Sequence, residues 1–390
     1  MTNPREMTTD VLVIGAGPYG LALAARLEHL RIDYQVVGES MGFWRRNMPD
    51  GMFLRSSWDW HLDPQGMYTI ERFLRDTGIR KAEVSPFPLA TYLEYAGWFR
   101  ESAGIQPVDA LVRRLDSAPD GGFVALCDDG AAISSRSVVL ALGFSNFPHV
   151  PIELSGLLPP DRVVHTLDFV DLTHTRDQSI LLIGGRQSAY EWAALLCEAG
   201  AREVHISHRH ASPVFAEADW SWVAPLLQSM IGEPGWFRAL PESERISLEQ
   251  RLWNEGRLKV EPWLEPRLRD GPVSVWPETL VAQCAVSNDG RVTVELSNGA
   301  MLAVDRIVLA TGYKADVANV DFLRRGDILD HVMAVDGLPV LDEHFQSSVP
   351  GLLMTSMLAT RDFGPFFAFT VAARAAAVVL GDELGRRFRA

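Results

Sequence analysis

The apolar positions along this chain fall into one pattern that occurs twice. Residues 9–14 are an apolar, β-branched run that stops at Gly15, which predicts a buried parallel strand. Over residues 18–30, Leu21, Leu23, Ala24, Leu27 and Leu30 supply the apolar face of a helix. Tyr34–Val37 is the next strand, so this opening reads as a βαβ unit. The order returns with a strand over Ser179–Ile183, a helix over Ser188–Ala199 and a strand over Glu203–Ser207. Between the units, 123–143 reads as short strands ending in Ser137-Val-Val-Leu-Ala-Leu-Gly143. That segment pairs in pattern with Arg306-Ile-Val-Leu-Ala-Thr-Gly312, each an apolar strand stopping where the chain crosses between lobes. Residues 291–304 alternate as a hairpin does, and an alanine-rich helix is expected from Phe366 to Leu384. The Pro- and Gly-rich stretch 144–160 reads as a linker.

The turn inside each unit carries the chemistry. Gly15, Gly17 and Gly20, with Pro18 and Tyr19 between them, fit G-x-G-x-x-G between a strand and a helix. The first glycine permits the tight turn, the second lets backbone approach a pyrophosphate, and the third lets helix pack on strand. The helix N-terminus then faces the phosphates. Glu39, just past the second strand, is the candidate for the ribose hydroxyls, with Gly38 in the usual acidic place. The second turn reads Gly184-Gly185-Arg186-Gln187-Ser188-Ala189, and Arg186 replaces the middle glycine. Its guanidinium either grips a phosphate or blocks the nucleotide. The strand after it ends at His208-Arg209 with no carboxylate, which favours a 2′-phosphate and hence NADPH over NADH. Two such turns in one chain point to a flavin fed by a nicotinamide.

Composition narrows the rest. The chain has 390 residues, too many for one ordinary core, and a formal net charge of -14. That charge speaks against nucleic acid and anionic membranes as partners. Cys127, Cys197 and Cys284 form no C-x-x-C pair, so neither a redox disulfide nor a zinc site is expected. The histidines His149, His165, His174, His205, His208 and His210 lack metal-ligand spacing and read as surface or loop groups. No signal peptide and no membrane span are recognised, so the cytoplasm is the expected compartment. Six tryptophans, Trp220, Trp222, Trp236, Trp253, Trp263 and Trp276, crowd one segment, either as core bulk or as the wall of an apolar substrate pocket.

Asp305-x-x-x-Leu309-Ala-Thr311-Gly312-Tyr313, the Gln187-Ser188-Ala189-x-Glu191 run and Gly42-Phe43-Trp44-Arg45 together resemble the class B flavin-dependent monooxygenases. These include FMO-like enzymes, lysine and ornithine N-hydroxylases, Baeyer–Villiger enzymes and bacterial flavoproteins labelled for ion transport. The resemblance covers most of the chain. Two positions depart from the family: Arg186, and an F-x-G-x-x-x-H signature of which only His165-Thr-Leu-Asp-Phe169 remains. The resemblance implies an α/β protein with two Rossmann-like domains binding FAD and NADPH, the second inserted into the first. The expected limits are 1–160 and 300–390 for the FAD domain and 161–299 for the NADPH domain. It implies that NADPH reduces FAD and that a C4a-(hydro)peroxyflavin inserts one oxygen atom from dioxygen into a small-molecule substrate. N-hydroxylation of an amine is preferred over Baeyer–Villiger or sulfur oxidation. It also places Trp44, Arg45, Thr311, Gly312, Gly364 and Pro365 beside the flavin, and makes Arg55, Asp59 and His61 the candidates for charge and proton handling. An FAD dehydrogenase or oxidase that bypasses NADPH, and a non-catalytic flavin sensor, are the rivals. A homo-oligomer is left open.

Overall fold

The computed structural model describes residues 6–119 and 121–389. The first unit is the strand Glu6–Ile14, the helix Pro18–Leu30 and the strand Tyr34–Val37. Its strands are parallel, with Val11 opposite Tyr34 and Ile14 opposite Val37. They belong to a six-stranded sheet in the order Tyr34–Val37, Glu6–Ile14, Ala132–Leu140, Phe123–Cys127, Val112–Ser117. The far edge of Ala132–Leu140 is shared. Its first half pairs antiparallel with Phe123–Cys127 and its second half pairs parallel with Leu352–Met354. The C-terminal part of the chain thus returns to the first sheet, and the helix Ala373–Phe388 packs on Pro18–Leu30.

The second sheet is wholly parallel, in the order Val273–Pro277, Glu203–His208, Ser179–Ile183, Arg306–Leu309, Val163–His165. Ile180, Leu181, Leu182, Ile307 and Val308 are buried on both faces, which is why these strands are unbroken apolar runs. A three-stranded antiparallel sheet, Val281–Val286, Val292–Leu296 and Met301–Val304, covers part of it. Its middle strand turns Val292, Val294 and Leu296 inward, the alternation visible in the sequence. The tryptophan-rich segment forms the helices Val223–Gly232, Glu242–Gly256 and Leu264–Arg269.

Two features differ from the sequence reading. Arg306–Leu309, placed with the first lobe by the boundary at 300, lies inside the second sheet between Ser179–Ile183 and Val163–His165. An apolar strand fits either sheet, and periodicity does not say which. The chain crosses back only at Gly312, where the two crossing segments pair with each other. His149 N–H bonds the Gly312 carbonyl and Lys314 N–H the Phe147 carbonyl, both at 2.9 Å. The last helix begins at Ala373, not Phe366, and is preceded by the short 3₁₀ turns Pro365–Ala368 and Thr370–Ala372. The Tyr19 hydroxyl reaches the carbonyls of Phe367 at 2.7 Å and Phe369 at 2.8 Å, groups that a continuous helix would use for itself.

Candidate functional site

The first turn is shaped by what a side chain would strike. A Cβ on Gly15 would stand 2.3 Å from the Ala141 carbonyl oxygen, and one on Gly20 would stand 1.8 Å from that of Gly15. Gly17 faces open space, with nothing within 4 Å of its Cβ position. Gly17 also caps the helix Pro18–Leu30 without a side-chain bond, which leaves first-turn N–H groups for a ligand. A cavity of about 410 Å³ lies there, lined by Gly15, Gly17, Pro18, Tyr19, Glu39 and Trp44. It continues to Ala368, Phe369 and Thr370. A backbone approach, an open lane before a helix N-terminus and a carboxylate at the strand end fit a flavin dinucleotide.

Several expected neighbours are placed differently. Glu39 is ion-paired to Arg46 at 2.8 Å, and Arg46 lines the cavity. Arg45 instead turns to the Ser40 carbonyl at 3.2 Å. The Thr311 hydroxyl donates to the His149 carbonyl, and the Gly312 carbonyl is held by His165 Nε2 at 3.0 Å. Gly364 has φ +98°, and its missing Cβ makes room for the Phe366 and Phe237 rings. Thr311, Gly312, Gly364 and Pro365 thus set the course of the chain outside the cavity walls. Asp305, first residue of the Ala-Thr-Gly motif, anchors the opposite end of its strand by accepting from Ser179 N–H at 2.7 Å and Arg202 at 3.1 Å.

The second turn superimposes its logic on the first. Gly184 has φ +145°, and a Cβ there would stand 2.3 Å from the Ala310 carbonyl oxygen, as Gly15 stands to Ala141. Arg186 takes the place of Gly17 as cap of the helix Gln187–Glu198, with an ordinary φ of -117°. Its guanidinium lies over the Trp253 ring at 4.0 Å. Burial, then Arg257 and Arg209, bring its pKa down to about 10, so it is still charged at neutral pH. Gln187 accepts from the Glu261 N–H at 3.0 Å and donates to Glu191 at 3.2 Å, while Ser188 and Arg209 are exposed. Gly185 lies directly under His208, whose Cγ would be 2.3 Å from a Cβ. The uncapped helix and the cations beside it fit the phosphates of a nicotinamide dinucleotide.

A larger cavity, about 720 Å³, lies between the lobes. Trp58, Trp60, Trp220 and Trp263 wall it, so the tryptophan-rich segment contributes two of its six indoles. Trp60 meets Trp220 edge-on at 5.6 Å, and Trp58 stacks on Phe87 at 4.4 Å. The chamber begins at Val371 and Arg374, directly after the Ala368–Thr370 segment that ends the flavin cavity. Asp59 and Glu217 are exposed to it. Arg55 is pinned at its wall, donating to Glu261 at 2.9 Å and to the carbonyls of Gly256 at 2.8 Å and Lys259 at 3.3 Å. His61 stands behind Arg374, whose guanidinium donates to its Nε2 at 2.7 Å. Burial, reinforced by the Arg374 charge, pushes His61 down to about 4 against the pull of Asp63 and Asp59.

Arg46, Glu217 and Arg374 were not singled out from sequence. Arg374 carried a signal: a lone cation within an alanine run. His165, His205 and His208, read as surface or loop groups, are buried, because each ends or lies within a strand of the second sheet. No cluster of potential metal ligands occurs among the described residues. No helix among them is long and apolar enough to cross a membrane.

A family model described as pyridine nucleotide-disulphide oxidoreductase matches residues 9–355. The trimethylamine monooxygenase of Roseovarius sp. (strain 217) is 25% identical over 256 residues, covering 58% of this chain and 57% of that protein. The chain thus aligns with little more than half the length of that relative. A CzcO-like oxidoreductase of Geobacillus kaustophilus is 23% identical, covering 83% of this chain and 84% of the relative. Among solved structures, the ornithine N-hydroxylase of Kutzneria sp. 744, with reduced FAD, NADP⁺ and L-ornithine, is 18% identical with a TM-score of 0.77. That alignment covers 97% of this chain and 99% of the hydroxylase, a likeness of fold from end to end.

Proposed function

Because this chain belongs to the pyridine nucleotide-disulphide oxidoreductase family, we propose that it is an FAD- and NADPH-dependent monooxygenase that hydroxylates the nitrogen of an amine. The observation that carries this reading is the tryptophan-walled chamber that opens where the flavin cavity ends, along Ala368–Arg374. A disulfide-reducing role has no support in the chain's own thiols. Cys127, Cys197 and Cys284 are free, and burial pushes each up to about 11. Relatives and structural neighbours whose names describe action on nitrogen, the trimethylamine monooxygenase and the ornithine N-hydroxylase, support the choice of an amine.

When bound, FAD and NADPH supply the electron transfer and the dioxygen chemistry. The chain's own groups bind and orient. Gly17 and the free N–H groups of its helix hold the flavin pyrophosphate, and Glu39 holds the ribose. Arg186 and Arg209 take the phosphates of NADPH. Asp59 and Glu217 attract the amine as its ammonium, as the indole faces do, and one of these carboxylates takes the proton whose loss frees the nitrogen lone pair for oxygen. Neutral His61 accepts from Arg374 and so fixes its guanidinium at the chamber wall. Arg55 shapes the opposite wall through Glu261. The indoles keep water from the reacting atoms.

Anaerobic mixing of the FAD-loaded protein with NADPH, then NADH, tests the reading through the visible flavin band. Faster bleaching by NADPH is expected, followed after readmission of air by an amine product one oxygen heavier. Bleaching by an amine alone, with no response to either nicotinamide, would replace this reading by the oxidase one.

A further inference from the structure

The helix Glu242–Gly256 belongs to the tryptophan-rich insertion, not to either nucleotide fold, yet its end lies beside the second turn and near the edge of the flavin cavity. Trp253, in its last turn, carries the Arg186 guanidinium on its ring at 4.0 Å. Arg257 follows the helix, and its N–H bonds the Trp253 carbonyl at 2.9 Å. The Arg257 guanidinium in turn lies 5.5 Å from the centre of the Phe369 ring, and Phe369 lines the flavin cavity. Arg257 therefore stands where the second turn meets the flavin cavity.

Both arginines are half-buried, and neither guanidinium has a carboxylate or hydrogen-bond partner among the described residues. Arg55 nearby is different, since Glu261 pairs with it at 2.9 Å. Arg257 and Arg209 repel the Arg186 charge, and Arg55 repels that of Arg257. Half-buried cations that repel one another cost free energy until an anion joins them. A third group at the same turn also lacks a partner. Buried His208 donates from Nδ1 to the His210 carbonyl at 2.8 Å, so its Nε2 is a bare, buried lone pair with no donor. The unpaired guanidiniums call for an anion at this turn, which the pyrophosphate of a dinucleotide supplies.

We propose that Arg257 is a phosphate-binding residue of the second dinucleotide site and closes with Arg186 on the pyrophosphate. The pair replaces the backbone approach that a middle glycine would have given. Arg186 leaves the Trp253 ring as the phosphate enters, and Arg209 at the strand end is left for the 2′-phosphate. This inference rests on reading the second lobe as a nicotinamide dinucleotide site.

Calorimetric titration of the FAD-loaded protein with NADP⁺ and with NAD⁺ tests it, alongside Arg257→Met, Arg257→Lys and Arg209→Met. Arg257→Met is expected to weaken both nucleotides alike by about 10- to 100-fold, with partial recovery in Arg257→Lys. Arg209→Met is expected to weaken NADP⁺ alone. Tryptophan emission should change as NADP⁺ binds the parent, and Trp253→Phe should remove that change. An unaltered visible flavin spectrum in each variant shows that the fold is kept. If Arg257→Met binds both nucleotides within about twofold of the parent, or loses only NADP⁺, the clamp is wrong and the reading of the lobe stands. A parent that binds neither nucleotide overturns both.

Discussion

His61 is a histidine that its surroundings keep uncharged. Its Nε2 accepts from Arg374, so the ring proton sits on Nδ1, which is buried without a partner. Its folded pKa, about 4, lies below the 6.5 of a free histidine. The unfolded chain therefore binds more protons between those values, and stability present above pH 6.5 is lost as pH falls toward 4. His61→Gln keeps an acceptor for Arg374 and removes the titration. Urea midpoints measured from pH 7 to pH 4 are expected to fall less steeply in this variant, and equal slopes would assign the loss elsewhere. The loop bearing His61 was legible as a cluster of polar and aromatic residues. What was not legible is that Arg55 spends its donors on Glu261, Gly256 and Lys259, because those partners are remote in sequence.

Elements were read well where their cause is local. The two strand–turn–helix units needed only apolar spacing and glycines, and both stand as read. The last helix was misplaced at its start because its cause is remote: the Tyr19 hydroxyl holds Phe367 and Phe369 across 348 and 350 positions. That hydroxyl fixes the segment that ends the flavin cavity, just before the chamber wall begins at Val371. Tyr19→Phe keeps the ring and removes the bond, at a cost of about 1 kcal/mol. FAD affinity is expected to fall several-fold while NADP⁺ affinity holds, measured by retention of the flavin on gel filtration and by calorimetry. Equal loss of both nucleotides would mean that the substitution disturbs the core rather than the turn. The tryptophan-rich stretch shows the limit of composition: Trp220 and Trp263 wall the chamber, whereas Trp222 is core.

At the scale of the whole molecule, the seam between lobes holds a buried acid. Glu191 is fully buried and accepts from Phe53 N–H of the first lobe at 3.2 Å and from Arg267 of the insertion at 3.1 Å. Burial raises its pKa to about 7, outweighing Arg267 and the Phe53 N–H, which favour the charged form. The folded state thus keeps the proton above the ordinary glutamate value of 4.5, so stability declines as pH rises from 4.5 to about 7 and then levels. Glu191→Gln should flatten that decline in urea midpoints, and an unchanged slope would remove Glu191 as its source. That one nucleotide unit interrupts the other followed from the family resemblance, since the two patterns themselves lie one after the other in the chain. The sequence did not show that Arg306–Leu309 serves the second sheet.

The chain passes between the lobes twice, and the two passages are bonded side by side from Phe147 to His149 and from Gly312 to Lys314. A single strand would act as a swivel. A bonded pair behaves as a ribbon, which bends across its flat face and resists twisting about its length. The pair therefore opposes rotation of one lobe against the other, as do the Phe53 N–H bond to buried Glu191 and the Arg55 bonds to Glu261 and Gly256. Whatever the second lobe carries is therefore presented to the first with one fixed face.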